Sequence, residues 1–234
     1  MDYSLIGVTF FMTMLGGCMP AFQPGAARRS RIILSFCAGT FVGAVLFHMI
    51  PGVISLLGIF MMIPMICGFL GTYVVEWLLA ARPAEGKDPV YHNTGLAALG
   101  AISFHSLLEG FAMGAALKMP VGLAIIAAII VHKFPAALTL GCLFVEAGKF
   151  NRKTIVSLIF FFALTAPFGT LLSLSLFDSV DSYLLGSALA VSGGTFLYLA
   201  FFDFLPAVAR QGKFGATHSL SLCLGTLAMY FLRD

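Results

Sequence analysis

The chain has 234 residues, of which 60% are hydrophobic and 10% charged, with a mean hydropathy of +1.01; a soluble domain carries roughly 25% charged residues. That composition excludes an ordinary water-soluble fold and describes a polypeptide whose solvent is the lipid bilayer. The formal net charge of +3 comes from basic residues gathered in a few joints, so it reports topology and does not argue for a nucleic-acid partner.

Eight apolar runs follow one another, at about 4–22, 32–57, 60–80, 95–117, 120–145, 154–177, 183–209 and 216–232. Each is long enough for the roughly 20-residue helix that spans a bilayer. The first is preceded by Asp2 and no basic segment, so it is not read as a cleaved signal peptide. The joints "QPGAARRSR", "ARPAEGKDPVYHN", "EAGKFNRK", "FDSVDS" and "RQGKFGAT" hold the breakers and charges. None is long enough to fold separately, which predicts a single all-α polytopic domain over 1–234 with eight transmembrane helices. Alternating the joints puts Arg28, Arg29, Arg31, Arg82, Lys87, Lys149, Arg152, Lys153, Arg210 and Lys213 on one side, and only Lys118 and Arg233 on the other. The bias places both termini on the non-cytoplasmic face of a plasma or organelle membrane. Cys18, Cys37, Cys67, Cys142 and Cys223 sit singly in apolar spans and read as buried structural thiols.

Six ionisable residues fall at membrane depth: His48, His105, Glu109, His132, Lys133 and Asp203. An ionised group near the bilayer centre costs about 2.5–3.5 kcal/mol even on the lenient insertion scale, so such residues ask for a functional reason. In "FHSLLEGFAMG" the spacing of His105 and Glu109 is i, i+4, which sets both on one helix face about 6 Å apart. The fifth run adds His132 near its middle and Pro135 three residues on; Pro135 cannot donate to the carbonyl of Val131 and leaves an acceptor beside the histidine. Two imidazoles and a carboxylate suit a divalent metal, zinc above others. Read as helix packing alone, the His105–Glu109 pair would leave His48 and His132 without an explanation. His48 also fits an interfacial histidine, and Asp203 also fits a structural partner for Lys133. Met113, one turn after Glu109, is a candidate for the outer pathway; Glu146, fourteen residues after His132, is a candidate exit ligand. Gly39, Gly43, Gly110 and Gly114 read as close-packing positions.

The sequence also repeats itself. "GTFVGAVLFHMIPGV" (39–53) aligns without a gap on "GTFLYLAFFDFLPAV" (194–208), and His48 falls on Asp203. In the eight-span topology the second helix runs outward and the seventh inward, so the repeat is inverted, a signature of secondary transporters with a midplane site. A weaker copy relates "HSLLEGFAMGAAL" to "HKFPAALTLGCL", matching His105 to His132. Helices one to three then mirror helices six to eight around the fourth and fifth.

These motifs resemble the ZIP family of zinc and iron transporters over nearly the whole chain. "HSLLEGFAMG" looks like the fourth-helix signature, with His105 and Glu109 at its metal-ligand positions, and "HKFPAALTLG" is similar to the fifth-helix signature, with His132. "FHMIPGV" resembles the second-helix pattern, with a ligand at His48, and the seventh-helix pattern has its acidic residue at Asp203. The resemblance implies metal movement toward the cytosol by an eight-helix protein, often a homodimer. At positions where some members hold a second metal, this sequence has Ser106, Lys133, Ala136 and Ala166.

The sequence is therefore read as an importer of divalent metal by alternating access, with no prosthetic group. His48, His105, Glu109 and His132 are its ligands, Asp203 passes the ion on, Lys133 balances the charge of Glu109 or Asp203, and Ser106 is a further candidate for the pathway or its charge balance. An imidazole-rich site favours Zn2+ or Cd2+ over manganese and leaves Fe2+ open. The alternative from another class is an intramembrane zinc-dependent hydrolase, whose metal keeps a position for an activated water. A metal-sensing receptor is a third reading, disfavoured by joints too short to engage a partner.

Overall fold

In a bilayer every backbone N–H and C=O must be satisfied within the segment, which leaves the helix as the form open to these apolar runs. The computed structural model describes residues 4–23, 26–80, 89–118, 122–176, 181–210 and 215–232, and among them there is no strand. Helix α1 spans Ser4–Phe22 and α2 spans Ala26–Ala44; a π-helical segment, Val45–Met49, leads into α3, Ile50–Leu57. Gly58 breaks the run with φ +57°, a conformation that favours glycine. A 3-10 turn, Gly58–Met61, then opens α4, Met62–Ala80. There follow α5 (Pro89–Ala116), α6 (Gly122–Ala147), α7 (Arg152–Leu176) and α8 (Ser182–Tyr198). A second π-helical segment, Leu199–Phe204, joins α8 to α9 (Leu205–Arg210), and α10 is Ala216–Phe231. Among the described residues five helical stretches are long and apolar enough to cross a membrane: Ser4–Phe22, Arg31–Leu78, Ile125–Ala147, Arg152–Leu176 and Ser182–Phe204. The second of them holds 48 residues and contains the Gly58 break. This is an integral membrane protein. Of the basic residues that set the expected orientation, Arg82, Lys87, Lys213 and Arg233 lie outside the described residues.

The helices pack in pairs, α1 on α6, α5 on α7, α2 on α10 and α4 on α8. Small residues make these contacts close, as expected where packing rather than water drives helices together. A Cβ at Gly39 would lie 2.0 Å from Leu222 O on α10, and one at Gly225 would lie 2.1 Å from Phe36 O on α2. In the α4–α8 pair a Cβ at Gly194 would lie 2.0 Å from Met65 O, and one at Gly68 would lie 2.0 Å from Val191 O. In the α1–α6 pair Gly16 meets Phe134 O and Gly141 meets Gly17 O; in the α5–α7 pair Gly169 meets Leu107 O and Gly114 meets Thr170 O. Hydroxyls reinforce the seams: Thr170 Oγ1 donates to Gly110 O at 3.0 Å, and Thr226 Oγ1 donates to Gly39 O at 3.1 Å. The expected packing glycines Gly39, Gly43, Gly110 and Gly114 all meet a neighbouring helix.

Both π-helical segments end just before a proline. Pro51 has no N–H, and in a regular helix its ring would press on the carbonyl four residues back. The wide turn is closed instead by Ile50 N–H donating to Val45 O; before Pro206, Leu205 N–H donates to Ala200 O. Apolar side chains face outward, Phe11, Ile59 and Phe231 being more than three-quarters exposed, whereas Lys133, Glu109 and His105 are each 1% exposed. The buried polar residues thus cluster in the bundle interior, the arrangement expected of ionisable groups that work inside a membrane. Cys37 and Cys142 are buried as expected, but Cys67 and Cys223 are exposed on the outer surface.

Candidate metal centre

Three helices build the site. On α5, the 3.6-residue period brings His105, Ser106 and Glu109 to the side facing α6, which contributes His132 and Lys133, and α8 closes the back with Ser192, Thr195 and Phe196. Glu109 Oε1 lies 2.9 Å from His105 Nε2 and in close contact with His132 Nε2. One ligand atom from each of His105, Glu109 and His132 falls within 4.8 Å of the others, and all three residues are buried. Edges of a tetrahedron around zinc with bonds of about 2.0–2.2 Å are about 3.3 Å, so small side-chain rotations separate this geometry from a coordinating one.

The hydrogen bonds behind His105 fix which of its nitrogens can ligate. Thr195 Oγ1 donates its proton to Ser192 O at 2.6 Å, so toward His105 Nδ1, 2.8 Å away, it is an acceptor. Ser192 O and Ser192 Oγ stand 3.2 and 3.0 Å from the same Nδ1. The network assigns the proton to Nδ1 and leaves a lone pair on Nε2. That Nε2 finds no hydrogen-bond partner although Glu109 Oε1 is adjacent. An acceptor nitrogen facing a carboxylate oxygen in a buried site is an arrangement that a cation between them relieves. The imidazole also stacks on Phe196 with ring centres 3.6 Å apart, and His132 meets the edge of that ring at 5.2 Å. Donor set, burial and the orphaned nitrogen all fit a divalent metal.

Lys133 resolves as the partner of Glu109. Its Nζ donates to Glu109 Oε2 at 2.7 Å and to Ser106 Oγ at 2.8 Å. Of the two carboxylates expected to balance the lysine, Glu109 is therefore the one that engages it. His48 lies outside the three-residue group but lines, with Glu109 and His132, a cavity of about 50 Å³ walled by Ile125, Ile129 and Leu189. Met113 does not line this cavity; it is fully buried against Ala116, Ile126 and Ile129. Asp203, buried in the second π-helical segment, and Glu146, near the end of α6, also lie outside the three-residue group.

Sequence reasoning missed Ser192, Thr195 and Phe196, although Thr195 stands in the repeated "GTF" that the alignment exposed. It also passed over Glu76 in the third run, whose Oε2 accepts a 3.0 Å hydrogen bond from Tyr198 Oη.

A sequence model described as "ZIP Zinc transporter" matches residues 84–233. The chain belongs to the ZIP zinc transporter family. A ZIP relative from Xenopus tropicalis, "Zinc transporter ZIP9", is 33% identical over 177 residues, covering 68% of this chain and 58% of that protein. The human "Zinc transporter ZIP2" is 30% identical over 128 residues, covering 53% of this chain and 40% of the relative. "Zinc transporter 5" of Oryza sativa subsp. japonica is 26% identical over 162 residues, covering 63% and 45%. The chain spans about half the length of the curated relatives it matches. The family match includes α5 through α10, and so the ZIP-like helices that carry His105, Glu109, His132 and Lys133.

Proposed function

We propose that this ZIP-family chain carries Zn2+ from the extracellular or lumenal side into the cytosol through a mid-membrane site of His105, Glu109 and His132. The observation that carries the reading is the lone pair of His105 Nε2 held against Glu109 Oε1 inside the bundle, with His132 on the same oxygen. His48 receives the ion in the small cavity above the site, and Asp203 serves its release on the other side. Glu109 offers one oxygen to the ion because Lys133 holds the other, so one zinc binds at a time where some family members are read to hold two. Imidazole nitrogen favours zinc, with Cd2+ and Fe2+ as competitors.

The architecture proposed is eight spans with both termini non-cytoplasmic, helices one to three mirroring six to eight. Mirrored close contacts support it. The Gly39–Leu222 and Gly225–Phe36 approaches of one half recur as Gly194–Met65 and Gly68–Val191 in the other, and the two π-helical hydrogen bonds stand 155 residues apart at both donor and acceptor. The two wide turns carry His48 and Asp203, matched positions on opposite strokes of one alternating-access path.

The test is the purified protein in sealed liposomes containing a zinc-sensitive dye, with zinc added outside. Transport predicts a dye response that His105→Ala removes. An intramembrane hydrolase would load no metal, and that result would discard the transporter reading.

A further inference from the structure

Away from the metal site, the outer surface carries a groove of about 460 Å³ between the end of α1 and the start of α7. Its walls are Phe22, Val156, Phe160 and Phe161, and its α7 N-terminal end carries Arg152 and Lys153. Arg152 is fastened across the two helices: its Nε donates to Ala21 O at 3.1 Å, and its guanidinium carbon lies 4.9 Å over the Phe22 ring. Four of its five N–H donors remain beyond that bond. Among the described residues neither Arg152 nor Lys153 makes an ion pair. Two cations therefore sit at one end of an apolar trough that faces the bilayer.

We infer that this groove binds one anionic phospholipid, its phosphate on Arg152 and Lys153 and an acyl chain along the α7 face. Charge complementarity selects the occupant, since a zwitterionic lipid or an apolar helix would bring no net negative charge to the pair. Dimensions agree. From Lys153 to Phe161 α7 rises about 12 Å, close to the roughly 15 Å depth of one leaflet's hydrocarbon. Phe161 also lines a second apolar groove of about 430 Å³, with Phe104, Leu164 and Phe168, which continues the trough deeper along α7. Phe160 is held edge-on by Phe10 at 5.9 Å, so the floor of the first groove is a fixed aromatic surface.

The test uses the full chain purified in detergent and titrated with phosphatidylglycerol or phosphatidylcholine, with bound lipid counted by native mass spectrometry. One phosphatidylglycerol per chain is expected, retained at least about tenfold better than phosphatidylcholine. Lys153→Gln removes one cation and should lower retention about fivefold. Ser157 is an exposed residue lining the groove, so Ser157→Trp fills it while keeping both cations and should lower retention as much. Equal retention of the two lipids, or no effect of Ser157→Trp, overturns the site. So does a dimer that forms through this face without lipid selectivity. The readout involves no zinc, so it fails or succeeds independently of the transport reading.

Discussion

Replacing Lys133 by methionine keeps the length of the side chain and deletes a charge held 2.7 Å from Glu109 Oε2. A zinc ion on Glu109 Oε1 would lie roughly 5 Å from that ammonium, and two units of charge on the ion against one on the lysine at an effective dielectric near 20 repel by about 6 kcal/mol, of which solvent in the adjoining cavity screens a share. A net change of about 3 kcal/mol corresponds to about a hundredfold tighter binding. The empty protein pays in the opposite direction, because Glu109 is left as a buried carboxylate without its cation, a loss of about 3–5 kcal/mol. Lys133→Met should therefore melt earlier than wild type without zinc, regain more stability when zinc is added, and transport more slowly because the ion leaves slowly. Competition titration with a fluorescent chelator and thermal unfolding with and without zinc measure these quantities. Native affinity together with native stability of the zinc-free variant would refute the charge-balancing role.

Lys133→Asp combined with Ala136→Glu should raise the zinc content from one ion per chain toward two, by metal analysis of the purified proteins; two ions in the unaltered protein would contradict the single-ion site. His105→Ala or Glu109→Ala should abolish uptake at normal expression, and the double variant should be no worse than either single one, since both groups hold one ion. Zinc affinity should fall as pH drops, because a protonated imidazole has no lone pair for metal; a flat affinity between pH 7.5 and about 5.5 would exclude histidine ligation. Thr195→Val removes the closest of the three oxygens at His105 Nδ1 and should weaken zinc binding by about tenfold, with Thr195→Ser restoring it. In a background without the native cysteines, cysteine at position 48 should label from the outside and cysteine at position 203 from the inside; equal labelling of both from one side contradicts alternating access.

The helices were legible because lipid imposes a length and forbids polarity, so each break and charge in the joints punctuates the chain. The same intolerance made His105, Glu109 and His132 visible, and the period of 3.6 put two of them on one face. Choosing Glu109 over Asp203 as the partner of Lys133 was beyond the sequence, since it depends on the relative depth and rotation of separate helices. Met113 shows that limit from the other side: it shares a helical face with Glu109, yet that stripe turns under α6 one turn later and packs against Ile126 and Ile129. Ser192 raised no signal, and Thr195 none beyond its place in the repeat, because hydroxyls bond to their own helix at little cost and are common in apolar spans. The π-helical segments were foreshadowed only by Pro51 and Pro206. Counting spans by apolarity among the described residues yields five where the runs suggest eight: the runs on either side of Gly58 merge, α10, at 16 residues, falls short of the roughly 20 that cross a bilayer, and α5, which carries His105 and Glu109, is not among the five.

The Lys133–Glu109 pair also has an electrical consequence. With neutral imidazoles, the two opposite charges sum to zero, so a site returning empty moves no net charge through the membrane field. A loaded site carries the full +2 of its ion. With a potential of 100 mV negative inside, each zinc moving inward gains about 4.6 kcal/mol, enough to sustain a gradient of more than a thousandfold without any coupled ion. On the transport reading, voltage acts on the two charges of the ion, and the Lys133–Glu109 pair puts that voltage dependence on the loaded step and none on the empty return; zinc flux in liposomes should follow an imposed potassium diffusion potential in both sign and steepness.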